Sequence, residues 1–332
     1  MKRAGGELHY FFMQKGTVKE MGTAFIEVEK LRKSFGEQLV LEDVSFGVPQ
    51  GETVGLLGPN GSGKTTIIRL LNGVIEADGG SMRVGMWNPA QNGHDIRKIS
   101  GILTEGAGLY YEMSGLDNLK FFAKLYGAYD AKRIQRLLEE FQLQRHQHKK
   151  VGTYSTGMKR RLGMIKALLH RPALLFLDEP TNGLDPEGIQ MVMQYIKQLN
   201  TQEGTTILLC SHILHQMEMV CSRYMFLENG TILEKGTKQE LEEKYIREVR
   251  VKVETGLELQ GSTYAGYYSE RLDDRLIRFK LPDKEHITKL LGQLVQDTWV
   301  HQVEIENRDL ESLYFRIRRE RDESVGCLGD CL

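Results

Sequence analysis

The first regular pattern in the chain is an alternation of hydrophobic and polar residues. It covers residues 25–31 and 39–46, with a turn at Phe35 and Gly36 between them. A period of two predicts strands that bury one face, and the glycine turn predicts that these two strands pair antiparallel. Residues 1–22 show no sustained period, so we predict that they form a loose N-terminal extension.

Short, mostly apolar runs follow, and helical patterns separate them. The runs occupy residues 53–57, 173–177 and 205–210, and such runs are typical of parallel strands that are buried on both faces. Apolar residues recur at helical spacing within residues 105–170 and again over 186–199. We therefore predict an α/β fold with a mainly parallel sheet, additional antiparallel strands and an inserted helical subdomain at 105–170.

The pattern changes near residue 245, where a second series of strand-like and helical runs begins. These runs cover residues 249–253, 276–281, 284–295, 300–305 and 310–319. We therefore predict a first domain at 23–244, a small C-terminal α/β domain at 245–322 and a flexible tail at 323–332.

Composition excludes some classes of protein. The 332 residues are 40% hydrophobic and 27% charged, which is ordinary for a globular protein. A formal net charge of −1 gives no reason to expect a nucleic-acid partner. No stretch of about 18 apolar residues is present, so the chain is not predicted to cross a membrane. The four cysteines are more typical of reduced cytosolic thiols than of a disulfide framework.

A glycine-rich stretch after the first apolar run matches the pattern G-x-x-x-x-G-K-[ST]. This stretch and the residue after it are Gly58, Pro59, Asn60, Gly61, Ser62, Gly63, Lys64, Thr65 and Thr66. Glycines between a strand and a helix let successive N–H groups point into one concavity, at the positive end of the helix. Lys64 is then expected to reach the β- and γ-phosphates, and the Thr65 hydroxyl to bind Mg²⁺. The stretch predicts a nucleoside triphosphate site.

Two carboxylates follow the second apolar run, at the strand edge where ligands bind in such sheets. Asp178 suits a Mg²⁺ ligand, and Glu179 is placed to polarise an attacking water molecule. A GTPase is disfavoured because no Asn-Lys-x-Asp run for reading guanine is present. Ser155 stands at the start of another predicted helix, where its hydroxyl suits an anion and equally suits a simple N-cap.

The ordered set of motifs over residues 24–236 resembles the nucleotide-binding subunits of ABC transporters. The run Asp-Glu-Pro-Thr-Asn-Gly-Leu-Asp-Pro from Asp178 resembles the magnesium strand and D-loop of that family, with Asp185 as the D-loop aspartate. His212, after the third apolar run, resembles the switch histidine. Phe35 falls where the family stacks an aromatic ring on adenine. The implied fold is a P-loop ABC cassette followed by the small C-terminal α/β domain.

The run Tyr-Ser-Thr-Gly-Met at residues 154–158 occupies the place of the family signature Leu-Ser-Gly-Gly-Gln. The resemblance implies that Ser155, Gly157 and Asp185 contact ATP held by a second subunit, which is another copy of the chain or a related ATPase. ATP and Mg²⁺ are the implied cofactors of the reaction. The implied catalytic residues are Glu179, His212 and Lys64.

The sequence departs from the family pattern at two places. Thr156 and Met158 replace a glycine and the glutamine of the signature. Glu105 stands where the family has the glutamine of its Q-loop, and a carboxylate there can still be a Mg²⁺ ligand. ATP hydrolysis is the expectation, and a weakly hydrolysing regulatory subunit is the alternative that these departures leave open.

With no spanning segment of its own, a chain of this family implies a separate polytopic membrane permease. The resemblance places the chain on the cytoplasmic face of a bacterial plasma membrane, with residues 109–119 as the permease contact. The runs at 180–186 and 308–315 are similar to the exporter branch, which serves drug, antibiotic-peptide or sodium efflux. The competing hypothesis is a non-transport ABC ATPase that acts on ribosomes or DNA.

Overall fold

The structure, a computed structural model, describes the backbone of residues 24–104 and 106–329 and the side chains as far as residue 321. The predicted N-terminal extension at 1–22 therefore lies outside the described residues.

Strands and helices alternate through most of the described chain. Up to residue 104 the elements are β1 (Ala24–Phe35), β2 (Gln38–Pro49), β3 (Thr53–Leu57), α1 (Lys64–Leu71), β4 (Gly79–Val84), α2 (Pro89–Ile99) and β5 (Ser100–Leu103). From 106 to 245 they are α3 (Gly115–Leu125), α4 (Ala131–Glu140), α5 (Thr156–Leu168), β6 (Leu174–Asp178), α6 (Pro186–Glu203), β7 (Thr206–Ser211), α7 (Leu214–Glu218), β8 (Arg223–Glu228), β9 (Thr231–Thr237) and α8 (Lys238–Tyr245). The remaining elements are β10 (Val249–Thr255), β11 (Thr263–Tyr264), β12 (Tyr267–Asp273), β13 (Leu276–Leu281), α9 (Glu285–Asp297), β14 (Val300–Ile305) and α10 (Leu310–Gly329).

The central sheet has six strands in the order β5-β6-β7-β3-β8-β9. Every pair is parallel except β8 with β9. Successive side chains of a strand point to opposite faces, so Leu174 and Phe176 of β6 pack in one core while Leu175 and Leu177 pack in the other. Both faces are thus covered, and the predicted mainly parallel sheet is confirmed.

The predicted antiparallel pair is also confirmed. β1 pairs with β2 on one side and with β4 on the other, which gives a three-stranded sheet. Its apolar face packs with α1 against one side of the central sheet. Phe35 is the last residue of β1 and pairs with Gln38, the first residue of β2, across the turn between the two strands.

The opposite side of the central sheet carries the predicted helical subdomain. α3, α4 and α5 contribute Leu119, Phe122, Ile134, Leu137 and Ile165 to one continuous core with the sheet. Asp130 caps the start of α4 by accepting from two backbone N–H groups, and such caps satisfy donors that have no partner inside the helix. No helix among the described residues is both long and apolar enough to cross a membrane.

A separate five-stranded antiparallel sheet follows, in the order β11-β12-β13-β10-β14. α9 covers one face of this sheet, where Leu290 and Leu294 pack on alternate residues of β10 and β13. The described residues from β10 to β14 thus form an antiparallel sheet with one helix packed on it. Strands β11 and β12 were not predicted, because residues 263–273 lack a clear hydrophobic alternation.

The last helix differs from the prediction in two respects. Leu310, Leu313 and Ile317 pack in the core of the larger unit, so α10 returns to that unit and does not complete the small one. The helix also continues to Gly329, and residues 323–329 are therefore helical where a flexible tail was predicted.

Candidate functional site

The loop between β3 and α1 has the backbone shape that a phosphate site needs. Gly61 and Gly63 have φ values of 82° and 109°, a left-handed conformation that costs a glycine little. At Gly58 an added Cβ would lie 2.1 Å from the carbonyl oxygen of Leu227, so only glycine fits. Pro59 and Asn60, between these glycines, are exposed, which leaves the loop accessible to a ligand.

Two side chains of the loop are buried beneath it. Lys64 begins α1, and its Nζ donates to the carbonyl oxygens of Gly58 and Pro59 at 2.7 and 2.9 Å. The hydroxyl of Ser62 is buried and has no hydrogen-bond partner in the part of the chain that the structure describes. A buried polar group without a partner costs about 1–3 kcal/mol. The loop therefore holds an ammonium and a hydroxyl that an anionic ligand can engage.

Thr65 and Asp178 bring the loop and strand β6 together. The Thr65 hydroxyl donates to Oδ2 of Asp178 at 2.6 Å, and Thr66 follows in the same turn of α1. Burial raises the pKa of the Asp178 carboxyl, which is 3% exposed, and the bond from Thr65 opposes that shift. Hydroxyl and carboxylate oxygens are the ligands that Mg²⁺ prefers, so the residues present fit that ion.

Glu179 has an unusual backbone and a well-defined carboxylate. Its φ is 49°, and its N–H donates to the carbonyl oxygen of Cys210 in β7 at 2.9 Å. The hydroxyl of Ser211 donates to Oε2 at 3.0 Å, and Nδ1 of His212 lies 2.8 Å from Oε1. The structure thus brings together the two residues predicted as base and switch. The role of Ser211 was not predicted, although it directly precedes His212.

Arg160 is a further residue of this site that the sequence interpretation missed. It lies on α5, only 5% exposed, and its guanidinium donates to the carbonyl oxygens of Thr104, Asp178 and Glu179. The sequence did contain an indication of this role. Arg160 lies one turn before Met164 on α5, at a spacing that places both residues on the buried side of the helix. A charged residue on a buried helix face needs polar partners.

The residues expected to contact a second subunit's ATP act as caps and turns within this chain. Ser155 accepts from the N–H of Met158 at 3.2 Å and caps α5, and Asp185 accepts from the N–H of Gly188 at 2.9 Å and caps α6. Gly157 lies against the D-loop, where an added Cβ would be 3.0 Å from the Gly183 carbonyl oxygen. Within the described residues, no hydrogen bond joins Ser155, Gly157 or Asp185 to the phosphate loop.

The start of the D-loop is linked to the segment after the histidine. The Thr181 hydroxyl donates to Oε1 of Gln216 in α7 at 2.5 Å, and both side chains are buried. The D-loop and the segment that carries His212 are thereby joined inside the protein.

Two predicted residues stand apart from these contacts. Phe35 is 47% exposed at the end of β1, with Nζ of Lys33 5.4 Å from the ring centroid. Its ring is accessible for stacking. Glu105 lies outside the residues that the structure describes.

Comparison with known proteins agrees with this geometry. The family model described as ABC transporter matches residues 41–182. The chain is 31% identical to the ABC transporter ATP-binding protein YhcH of Bacillus subtilis over 305 residues, which cover 90% of this chain and 98% of that protein. It is 36% identical to the bacitracin transport ATP-binding protein BcrA of Enterococcus faecalis over 219 residues, or 66% of this chain and 71% of that one.

A solved structure described as the ATP-binding subunit of an ABC transporter also matches. Its TM-score is 0.63 at 33% identity, with 67% of this chain and 93% of that chain covered. The likeness to YhcH extends through the small C-terminal unit, since it covers almost the whole of both chains. The chain belongs to the ABC transporter family, as one of its ATP-binding and ATP-hydrolysing subunits.

Proposed function

We propose that this chain hydrolyses ATP to drive the export of a peptide antibiotic or similar drug through a separate membrane permease. The class of transported compound is proposed from the similarity to a bacitracin transport protein. A relative named for transport also favours this function over action on ribosomes or DNA. The chain would lie on the cytoplasmic face of a bacterial plasma membrane, bound to its permease.

ATP binding uses the loop and the exposed ring of Phe35. The triphosphate lies against the N–H groups of residues 58–66, at the N-terminus of α1. Lys64 now donates to two neutral carbonyl oxygens, and charge-assisted bonds to phosphate oxygens are about twice as strong as such neutral bonds. The ammonium therefore exchanges at least one of these contacts for the β- and γ-phosphates, while adenine stacks on Phe35.

Thr65 and Asp178 are the residues that would hold Mg²⁺, since their oxygen atoms already lie together. The bound ion supplies positive charge that neutralises the charge developing on the phosphate oxygens. Glu105 is a further proposed ligand. The contribution of this chain's own residues is to fix the Thr65 hydroxyl at the start of α1 and the Asp178 carboxylate at the end of β6.

Glu179 is proposed as the general base. A water oxygen forms a bond to the γ-phosphorus while the bond from that phosphorus to the oxygen that bridges the β- and γ-phosphates breaks. The water proton passes to the Glu179 carboxylate, and ADP leaves with the electron pair on its terminal oxygen. Ser211 and His212 donate to the two carboxylate oxygens, so the carboxylate is held in one orientation. A carboxylate only accepts, so Nδ1 of His212 carries a proton.

A second subunit would complete the site. Ser155 and Gly157, at the start of α5, present N–H groups and the positive end of a helix to the γ-phosphate of the partner's ATP. Asp185 lies beside them in the D-loop. Thr156 packs against that loop, since a Cβ at Gly183 would lie 2.7 Å from its methyl group. ATP-dependent dimer closure would then move the permease.

The proposed permease contact is an aromatic surface on the helical subdomain. Tyr110, Tyr111 and Phe121 are each at least 40% exposed, and the rings of Tyr110 and Phe121 meet edge to face at 5.2 Å. The buried side chain of Asn118 accepts from the N–H of Tyr110 and donates to its carbonyl oxygen. An exposed aromatic cluster on a fixed backbone suits a protein partner.

The proposal is tested by producing the full chain with its permease in a bacterium that is sensitive to peptide antibiotics. The matched strain carries Glu179→Gln in place of the wild-type chain. We expect resistance to at least one peptide antibiotic only when the wild-type chain and the permease are both present. Either chain should be recovered with membranes whenever the permease is present. Equal sensitivity of the two strains, with the chain recovered on ribosomes or DNA, would contradict the proposal.

A further inference from the structure

The guanidinium of Arg160 lies where three parts of the site converge. Nη1 donates to the carbonyl oxygen of Thr104, just after β5, at 2.7 Å. Nη2 donates to the carbonyl oxygen of Asp178, at the end of β6, at 2.8 Å, and Nε donates to that of Glu179 at 3.0 Å. Nη2 also contacts the Glu179 oxygen. A single side chain of α5 thus binds the ends of two neighbouring parallel strands.

Two of these carbonyl groups flank the Cα atom of Glu179. The Asp178 carbonyl belongs to the peptide group that enters Glu179, and the Glu179 carbonyl belongs to the one that leaves it. The entering peptide is held at both ends, because its N–H donates to Cys210 and its oxygen accepts from Arg160. Glu179 has a φ of 49°, which is uncommon for a residue with a side chain and persists only where surrounding contacts hold it.

Burying the positive charge of Arg160 is unfavourable unless polar groups compensate for the loss of water. At 5% exposure the side chain has lost nearly all of its contact with water, and an uncompensated buried charge is strongly destabilising. The carbonyl dipoles supply that compensation. Burial raises the pKa of the neighbouring Asp178 carboxyl, and the positive charge of Arg160 is among the influences that oppose this shift.

We infer that Arg160 is a positioning residue for ATP hydrolysis, which holds both peptide groups around Glu179 and so fixes the place of the catalytic carboxylate. The inference rests on the proposed role of Glu179 as the base. Arg160 lies on α5, the helix that Ser155 caps. A shift of α5 would therefore move Arg160 and, through its hydrogen bonds, the backbone of Glu179. The carboxylate is then aligned from two sides, by Arg160 through its backbone and by Ser211 and His212 through its oxygens.

An arginine is needed for this role because its planar fork reaches several acceptors at once. A lysine keeps the positive charge, but its single nitrogen cannot span the carbonyl oxygens of Thr104, Asp178 and Glu179. Arg160→Lys therefore tests positioning with the charge retained, and Arg160→Met removes both the charge and the donors. Arg161→Met is the matched control, because Arg161 is the next residue of the helix and donates to the Phe141 carbonyl at the end of α4.

The experiment measures kcat, the KM for ATP and thermal unfolding of the purified full chain with Mg²⁺ and ATP. We expect Arg160→Lys to lower kcat by about 10- to 100-fold, as small misplacements of a catalytic group do, with KM unchanged within roughly 3-fold because the phosphate loop is intact. Arg161→Met should keep the wild-type kcat. In a Glu179→Gln background, Arg160→Lys should cause little further loss of the residual rate, since residues that act as a unit are non-additive.

The inference would be overturned by a wild-type kcat in Arg160→Lys, by a rise of KM that accounts for the lost activity, or by full additivity with Glu179→Gln. Loss of folding in both Arg160 variants would assign the residue to stability alone and would also overturn it. A Glu179→Gln variant with wild-type turnover would instead contradict the proposed base. That outcome is distinct from one in which Glu179→Gln is inactive and Arg160→Lys is fully active.

Discussion

Nδ1 of His212 lies 2.8 Å from Oε1 of Glu179, and this contact joins the ends of two adjacent parallel strands. The Glu179 side chain is 14% exposed while that of His212 is 45% exposed. The Glu179 carboxylate is therefore largely shielded from solvent, whereas the neighbouring His212 ring is accessible. A base that is held by donors and still reachable by one water molecule is what a hydrolytic site requires.

The first prediction concerns Glu179→Gln. An amide has nearly the shape of the carboxylate but cannot accept the proton of the attacking water. We expect phosphate release to fall by roughly 100-fold or more, with ATP affinity retained, because the phosphate loop does not depend on this side chain. Steady-state hydrolysis and equilibrium ATP binding measure the two effects.

Glu203→Gln is the matched control for that change, because Glu203 is exposed at the far end of α6. It should leave both turnover and ATP affinity at the wild-type values. Equal turnover in Glu179→Gln and the wild type would refute Glu179 as the base.

The second prediction concerns Asp178→Asn. The amide can still accept from Thr65, but it offers a neutral oxygen to the metal ion. We expect the Mg²⁺ concentration needed for half-maximal ATP binding to rise by roughly 10-fold or more, since even changes beyond the direct ligands cost that much. Titration of Mg²⁺ at fixed ATP, followed by calorimetry, gives the value without relying on turnover.

Asp95→Asn provides the control, because Asp95 is a surface residue of α2 that pairs with Lys98. Its Mg²⁺ titration should match that of the wild type. If Asp178→Asn also matched the wild type, Asp178 would not be a Mg²⁺ ligand.

The parts of the site that could be predicted are those whose functional residues are close together in the sequence. The phosphate loop needs glycines and a lysine at fixed spacing, so residues 58–66 identify it without the fold. Asp178 and Glu179 could be placed at a strand end because the strand before them is apolar at every position. Local spacing was sufficient in these cases.

The contacts of Arg160 could not be predicted, because they depend on which strands lie side by side. Thr104 and Asp178 are far apart in sequence and become neighbours only through the pairing of β5 with β6. The hydrogen bond from Thr181 to Gln216 could not be predicted for the same reason, because it joins residues 35 positions apart in the sequence. Sequence patterns define the faces of elements but leave open which faces meet.

Short or mostly polar elements were missed for a different reason. Helix α2 buries only Pro89 and Ile96, so it has no recurring apolar stripe to detect. Its start signal was nevertheless present, since Asn88 caps the helix and Pro89 occupies the first turn. In β12 the buried side chain is that of Ser269, and most of the exposed positions carry charge, so the strand has no apolar alternation to detect. Its pairing with β13 decides the structure.

The third prediction concerns Thr181→Val. The change removes the hydroxyl that donates to Gln216 and leaves the buried Oε1 without that donor. We expect the free energy of unfolding to fall by about 1–3 kcal/mol, the cost of a buried polar group without its partner. Urea unfolding measured against the wild type gives the difference.

Thr201→Val is the comparison for Thr181→Val. The Thr201 hydroxyl donates to the Lys197 carbonyl on the exposed side of α6, so its removal should change the free energy of unfolding by no more than about 0.5 kcal/mol. Equal effects of the two changes would mean that the link between the D-loop and α7 contributes nothing particular to stability.

The fourth prediction separates the two structural units by their cores. Leu313 of α10 is fully buried with the larger unit, and Leu294 of α9 is fully buried in the small one. Truncation of either side chain to alanine should cost about 2–5 kcal/mol. We expect the two changes to loosen different sheets, which hydrogen exchange of backbone amides resolves strand by strand.

In Leu313→Ala the amides of β8 and β9 should exchange faster, because α10 also binds β8 through Tyr314 and Arg318, whose side chains both contact Glu228 at 3.1 Å. In Leu294→Ala the faster amides should be those of β10 and β13, with β8 and β9 unchanged. The opposite assignment for Leu313→Ala, with faster exchange in β10 and none in β9, would place the last helix with the small unit. The expected result would instead mean that α10 packs on the nucleotide-binding unit. There it lies beside β8, the strand whose Leu227 carbonyl borders the phosphate loop at Gly58.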